Sequence, residues 1–354
     1  MERPVLKFTR AKLNESLMST EDILIQATPD NCDYEVSGKV SYYSDDTPVS
    51  NVLLDLEGSA SYSAVSGDDG EYEFSVSKDP EDYILTPFKN DHFGGLSGLD
   101  ASRIAKYAAG FPDVEFDCHQ MIAADVNGDG QITGLDASRV ARYAAGKINY
   151  LNGADLHWAF VPTLGTPAMS GICFDWPPVA YTPDREYSPL DSDKSDQDFV
   201  AIRLGDVSGN WTDEPVREKR NSGSVCEITA APGTTLTIPI VLNRDTAIEG
   251  VDIKFEFDET VLELTGASLA GGILEKGDYF RISNAANGEG TILISANGDL
   301  LTGSGKVVFV SFNVIGETEG NAPVLSLTGF ECNETPASGG FLVDGKVCDV
   351  IYTD

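Results

Sequence analysis

A mainly β, multi-domain fold is predicted by three observations. Two regions, 35–88 and 223–354, alternate apolar and polar residues with the period of a strand. Between them lies a phrase written twice, LSGLDASRIAKYAAG at 96–110 and ITGLDASRVARYAAG at 132–146, with the spacing of a helix. And 354 residues are too many for one ordinary hydrophobic core. The expected order is an extension (1–34), a small β-sandwich (35–88), a helical module with an irregular wrap (89–222) and a second sandwich (223–354).

In 35–88 the strand phrases YEVSGKVSYY, NVLLDLEG, YSAVSG, GEYEFSV and DYILTPF are separated by DDTP, SGDDG and KDPED. Asp, Gly and Pro at such intervals are turn signals, so a compact antiparallel sandwich is expected. Residues 1–34 carry no comparable pattern and are expected to lend a strand to a neighbour's open edge.

The two copies of the repeat each open on a hydroxyl residue, Ser97 and Thr133, with Asp100 and Asp136 three places on. This is the spacing of a helix capping box. Leu99, Ile104 and Tyr107, then Leu135, Val140 and Tyr143, follow at three- and four-residue intervals, and Gly110 and Gly146 end the helices. Ahead of the second copy stand Asp125, Asn127, Asp129, Gly130, Gln131, Thr133 and Asp136. Alternating oxygen side chains, a glycine at the sharp bend and a carboxylate in twelfth place are what a calcium loop requires. The expected ligands are the side chains of Asp125, Asn127, Asp129, Thr133 and Asp136 and the carbonyl of Gln131.

The first copy departs from this pattern. Counting back from Asp100 places Lys89 at the first ligand position and Phe93 at the fifth, leaving Asp91, Ser97 and Asp100. Such a loop needs ligands from elsewhere. Asp206, Ser208 and Asn210 echo the spacing of Asp125, Asn127 and Asp129 and are candidate donors, with a plain turn as the competing reading, while Asp191, Asp193, Asp196 and Asp198 could also donate but read first as a solvated loop.

The segment 149–217 reads as irregular and Pro/Asp/Trp-rich, with no helix after about 148. From 223 onward TLTIPIVLN, GVDIKFEFD, VLELTGAS, GTILISANG, KVVFVSFNVIG, PVLSLTGF and GKVCDVIY are strands with clean turn punctuation. They suit a sandwich or jelly roll.

Composition narrows the chemistry. A formal charge of -33, from 24 basic and 57 acidic residues, excludes nucleic acid as a partner and favours hard cations. Six cysteines (Cys32, Cys118, Cys173, Cys226, Cys332 and Cys348) form no CxxC pair, which points to disulfides rather than zinc. Cys332–Cys348 is the expected pairing, flanking a return loop, with Cys118–Cys173 second; Cys32 and Cys226 stay unassigned. No apolar run of about 18 residues is present to span a membrane, and the opening lacks the apolar core of a signal peptide. A calcium loop too weak for resting cytosolic calcium points to an extracellular or cell-surface setting. His92, His119 and His157 have no ligand spacing, and no nucleophile or phosphate-cradling motif occurs, so no enzyme activity is expected.

Residues 89–148 resemble the dockerin family of calcium-dependent duplicated modules, most specifically at Asp125, Asn127, Asp129, Thr133 and Asp136. The phrases at Val36–Val40 and Gly70–Phe74 resemble prealbumin-like, Cna-B-type spacer domains. Gly233–Asn243, Ile248–Leu264 and Gly305–Val314 resemble the cohesins, the β-sandwich receptors of dockerins. The resemblance implies protein recognition, and the charges agree with it. Arg103, Lys106, Arg139 and Arg142 form a basic helical face, while residues 225–354 carry 19 acids and 6 bases, a net of 6 − 19 = -13. Plug and socket on one chain make a heterologous pair, which builds head-to-tail fibres of the chain with itself when it does not close. Folding back onto the chain's own sandwich is expected to be geometrically awkward. The alternative is an adaptor, or a non-catalytic appendage of a secreted carbohydrate-degrading system, binding foreign partners.

Overall fold

A computed structural model describes residues 12–13, 16–17, 33–78, 81–91, 94–163, 183–212, 224–317 and 323–352. Of the extension at 1–34 this includes an antiparallel pair, β1 (Lys12–Leu13) with β2 (Ser16–Leu17), and residues 33–34, which open the next strand. The donor-strand expectation for 1–34 otherwise lies outside the described residues.

The first sandwich opens with β3 (Asp33–Tyr42), β4 (Leu53–Glu57), β5 (Ser61–Val65), β6 (Glu71–Ser77) and β7 (Tyr83–Phe88). The alternation is clean: in β6, Tyr72, Phe74 and Val76 are buried between exposed neighbours. The chain then leaves the sandwich for three helices, α1 (Gly98–Ala108), α2 (Cys118–Ala124) and α3 (Gly134–Ala144). It returns as β8 (Trp158–Pro162), β9 (Arg185–Tyr187) and β10 (Phe199–Arg203).

Those last three strands correct the expectation of an irregular wrap. The sheets run β6-β3-β10-β8 and β5-β4-β7-β9, so each is completed by strands that follow the helices. Trp158, Phe160, Tyr187, Phe199 and Trp211 share one core with Val36, Leu54 and Phe74. The helical module is thus an insertion between β7 and β8. The short strand phrases of 149–217 sat among Pro and Asp residues and gave no turn-to-turn rhythm of their own. The aspartates at 191–198, read from the sequence as a solvated loop, tie this segment to β3. Asp193 Oδ1 accepts the Glu35 N–H at 3.0 Å and Asp198 Oδ1 the Lys39 N–H at 2.8 Å, while Asp191 pairs with Lys194.

Both repeat helices form as the sequence predicts. Ser97 and Thr133 are N-caps in capping boxes with Asp100 and Asp136. Gly110 and Gly146, just beyond the C-caps, have φ of 75° and 68°, the left-handed conformation glycine supplies. The short α2 had no repeat or periodicity to mark it in the sequence. Among the described residues no helix follows Ala144.

The second sandwich comprises β11 (Val225–Ile228), β12 (Thr235–Asn243), β13 (Ala247–Ile248), β14 (Gly250–Phe257), β15 (Leu262–Ser268), β16 (Tyr279–Ala286) and β17 (Glu289–Ala296). It continues with β18 (Leu301–Thr302), β19 (Gly305–Val314), β20 (Pro323–Cys332), β21 (Thr335–Pro336), β22 (Ser338–Val343), β23 (Lys346–Val347) and β24 (Asp349–Tyr352). One sheet runs β11-β24-β20-β14-β17-β16, the other β15-β19-β12-β22-β23. Val251, Ile253, Phe255, Ile292, Ile294, Val310, Phe312 and Phe330 fill the space between them.

The expected Cys332–Cys348 pairing is not formed. Cys348 bonds Cys226, and Cys332 is a buried free thiol in β20. The reason is topological: β11 pairs in parallel with β24, which brings Cys226 beside the start of that strand. Cys118 is disulfide-bonded, with a partner outside the described residues, where Cys173 and Cys32 lie.

Candidate calcium loops and docking face

The loop after α2 is shaped by backbone N–H groups converging on its first aspartate. Asp125 Oδ1 accepts from Gly128 N at 3.0 Å and Asp129 N at 3.1 Å, and its Oδ2 from Gly130 N at 2.8 Å. At the other end Asp136, fully buried, closes the loop through Thr133, and its Oδ1 meets the Asn127 N–H at 3.4 Å.

The same geometry occurs a second time, built from two segments far apart in sequence. Asp206 Oδ1 accepts from Gly209 N at 2.7 Å and Asn210 N at 3.4 Å, and its Oδ2 from Trp211 N at 2.9 Å. These backbone bonds match those of Asp125, and Asp206 accepts two more, from Tyr42 OH at 2.6 Å and Ser208 Oγ at 3.0 Å. The closing carboxylate is Asp100, also fully buried, whose Oδ1 accepts from Val207 N at 3.0 Å and Ser208 N at 2.9 Å and whose Oδ2 caps Ser97. Positions one, three and five therefore come from Asp206, Ser208 and Asn210, and positions nine and twelve from Ser97 and Asp100. The structure brings together residues that the sequence offered as candidate donors. Asp91, the remaining member of the expected set, is spent elsewhere: its carboxylate holds the buried Lys89 ammonium at 2.7 Å, which also donates to Ser50 O.

Both loops fit a hard cation. Among the described residues no ion pair involves Asp125, Asp136, Asp100 or Asp206. Burial raises the carboxyl pKa of Asp125; it raises Asp100 and Asp206 too, and for Asp100 the nearby Asp206 and Glu334 charges add to it. Buried anions without a positive partner are costly, and an oxygen-seeking cation is the ordinary remedy. Among the described residues no three His, Cys, Asp or Glu side chains gather as a metal group. The first loop offers three carboxylates, Asp125, Asp129 and Asp136, beside amide, hydroxyl and carbonyl oxygens, and the second offers two, Asp206 and Asp100.

The basic face divides. Helix α1 lies on the outer face of β14 and β17, where burial is continuous rather than alternating: Gly250, Val251, Asp252 and Ile253 are all buried. The Gly98 N–H donates to Asp252 Oδ1 at 3.0 Å, and Ser102 Oγ to Ala296 O at 2.6 Å. Ser97 Oγ and Ser208 Oγ both donate to Glu334 Oε1, at 2.6 and 2.9 Å. Lys106 Nζ, almost wholly buried, stands 3.4 Å from Glu249 Oε1, and Arg103 Nε stands 3.9 Å from its other oxygen. From the end of α3, Gly146 O accepts from Asn284 Nδ2 at 3.0 Å. Burial holds the Asp252 carboxyl up at about 7, an acid paid for by one backbone hydrogen bond.

Arg139 and Arg142 take no such part. Arg139 Nη1 donates to Leu151 O inside the helical module, and Arg142 is exposed. The expectation that folding back would be awkward is also corrected, because the contact is made within one chain. Gly250, Asp252, Glu249 and Glu334 were not singled out in the sequence. The signal available was the unbroken burial-type run of β14, GVDI, with an acid inside it.

Family models match two parts of the chain: the Dockerin type I domain at residues 94–144 and the Cohesin domain at residues 224–347. The dockerin and cohesin resemblances read from the sequence are borne out. Among solved structures, the chain is 17% identical to a non-cellulosomal cohesin from the hyperthermophilic archaeon Archaeoglobus fulgidus, over 36% of this chain and 83% of that one, with a TM-score of 0.26. It is 16% identical to a type I cohesin–dockerin complex from Clostridium thermocellum, over 36% and 92%, with a TM-score of 0.27. A cohesin in complex with a dockerin from Acetivibrio cellulolyticus is 15% identical, over 36% and 92%, with a TM-score of 0.27. No curated protein matches the chain. Dockerin and cohesin domains are non-catalytic modules of protein–protein assembly, and this chain carries one of each.

Proposed function

We propose that this chain is an extracellular, calcium-dependent assembly protein. Its dockerin-like helices are held by a cohesin-like sandwich, its own in the closed chain and a neighbour's when chains join head to tail. The observation that carries this reading is the seating of α1 on β14 and β17 through Gly98, Ser102 and Lys106. A contact made in one chain can be exchanged between chains, and repeated exchange builds a fibre. No catalytic role belongs to this reading.

Light scattering of the purified chain over a concentration series, with calcium and with a chelator, tests it. A monomer at low concentration that grows into calcium-dependent polymers at high concentration is expected. A second reading is favoured by α3, whose Leu135 and Arg142 are exposed. If the chain stays monomeric at every concentration, the adaptor role toward foreign partners takes the place of the fibre.

Two calcium ions belong to this reading. The first is held by Asp125, Asn127, Asp129, the Gln131 carbonyl, Thr133 and Asp136, the second by Asp206, Ser208, Asn210, Ser97 and Asp100. Each ion offsets buried carboxylate charge and fixes the cap of the helix it precedes. Calorimetry should count two ions per chain, and Asp206→Asn should reduce the count to one while leaving the loop at 125–136 loaded. Binding to the native state alone stabilises it by about 2.7 kcal/mol at a hundredfold excess over Kd, read as a rise in Tm. A count of one in the unaltered chain would remove the split loop from the proposal.

A further inference from the structure

We infer that Glu334 and Glu249 of the sandwich select α1 over its near-identical twin α3 as the helix that docks. The inference rests on the docking proposed above and adds what decides its register. The problem is set by the sequence: GLDASR occurs at 98–103 and again at 134–139. Yet Leu99 is 3% exposed and Leu135 is 54% exposed. A Cβ on Gly98 would meet Ile294 O at 2.9 Å, whereas one on Gly134 would meet nothing within 4 Å.

Some contacts cannot tell the twins apart. Asp252 reads a backbone N–H at Gly98, and Ala296 O reads the hydroxyl of Ser102; α3 offers the same groups at Gly134 and Ser138. The two glutamates face positions that differ. Glu334 Oε1 receives two small hydroxyls, from Ser97 and from Ser208 of the split loop. In the twin those places are held by Thr133, with an extra methyl, and by Asn127, with a longer amide. The fifth loop position changes from Asn210 to Asp129, which adds a carboxylate to the loop whose third-position hydroxyl Glu334 accepts, with or without a cation in the loop. Like charge brought together is the repulsive element that discrimination between close relatives needs.

Glu249 works at the other end of the helix. It faces the compact ammonium of Lys106, buried to 2% exposure, where α3 would bring the broad planar guanidinium of Arg142. Glu334 is also held in place beforehand. It sits in a tight turn with φ of 59°, next to Asn333, whose side chain bonds Glu249 N, Gly250 N and Ala247 O.

Hydroxyl-radical footprinting of Leu99 and Leu135 in the full chain, read by mass spectrometry, tests this. In the unaltered protein Leu135 should label and Leu99 should be protected. Glu334→Arg, which exchanges repulsion of Asp129 for attraction, should raise the Leu99-to-Leu135 labelling ratio by about tenfold or more, the scale of one like-charge contact relieved. Glu334→Gln should shift it in the same direction by less, and an unchanged Tm in each variant shows that both sandwiches remain folded. A Glu334→Arg protein that keeps Leu99 protected, or that exposes both leucines alike, overturns the selection. An unaltered chain with both leucines labelled sinks the docking itself.

Discussion

Replacing Gly250 by valine is expected to lift α1 off the second sandwich. A Cβ at Gly250 would come within 2.5 Å of Leu99 N and 2.8 Å of Gly98 C, both backbone atoms. Backbone cannot swing aside as a side-chain tip does, so the helix must retreat. Overpacking of this kind costs about 1–3 kcal/mol, a loss of about 5- to 150-fold in the docked population. Gly250 opens strand β14 and has no positive φ, so a β-branched residue suits the strand itself and the sandwich should stay folded. Gly98→Leu should have the same effect from the other side, through Ile294 O. Gly134→Leu, in open space on the twin helix, should change nothing. Small-angle scattering and the labelling of Leu99 report the outcome, and a Gly250→Val chain that remains as compact as the unaltered one would show that the close approach is not what holds the modules together.

Reduction of Cys226–Cys348 should destabilise the second sandwich strongly. The bond spans a sequence separation of 122, and tying a loop of about 100 residues constrains the unfolded chain by roughly 4.7 kcal/mol in the chain-entropy model, with about 2–5 kcal/mol the usual measured cost of loss. The effect should be local first. β11 is an edge strand whose one sheet neighbour is β24, so the disulfide fastens the entry of the chain into the sandwich. Denaturant titration of the Cys226→Ala, Cys348→Ala double variant against the unaltered protein checks the magnitude, and hydrogen exchange should show β11 opening before β14 or β20. Equal stability with and without the bond would refute the estimate.

Much of this architecture was legible in the residues, and the failures have causes. The repeat helices declared themselves because caps, periodicity and terminal glycines agreed at each end. The long strands of the second sandwich did so because one face of each is buried and alternation survives. β8–β10 did not, because their partners β3 and β7 lie on the far side of an inserted module, and pairing at that distance leaves no local trace. The proposed calcium donors were legible singly, as the echo of Asp125-x-Asn127-x-Asp129 in Asp206-x-Ser208-x-Asn210. Their union with Ser97 and Asp100 was not, since no spacing rule joins residues 107 apart. The docking face was hidden for a different reason. Its reading groups are a glycine, a backbone carbonyl and three acids in a chain full of acids. The basic residues drew the eye instead, and only Arg103 and Lys106 turned out to face the sandwich.

The split loop also sets an order of events during synthesis of the chain. The loop at 125–136 closes within a dozen residues and can form as soon as its segment emerges. Its counterpart must wait until residues 206–211 have been made, and until β8 and β10 have joined β3, before Asp206 can meet Asp100. Bringing such distant halves together is slow relative to local closure. Ser208, one of the two hydroxyls that Glu334 grips, arrives only at that step. The face that docks is therefore incomplete on a nascent or half-folded chain, and the second sandwich, made after it, meets a finished helix rather than an early decoy.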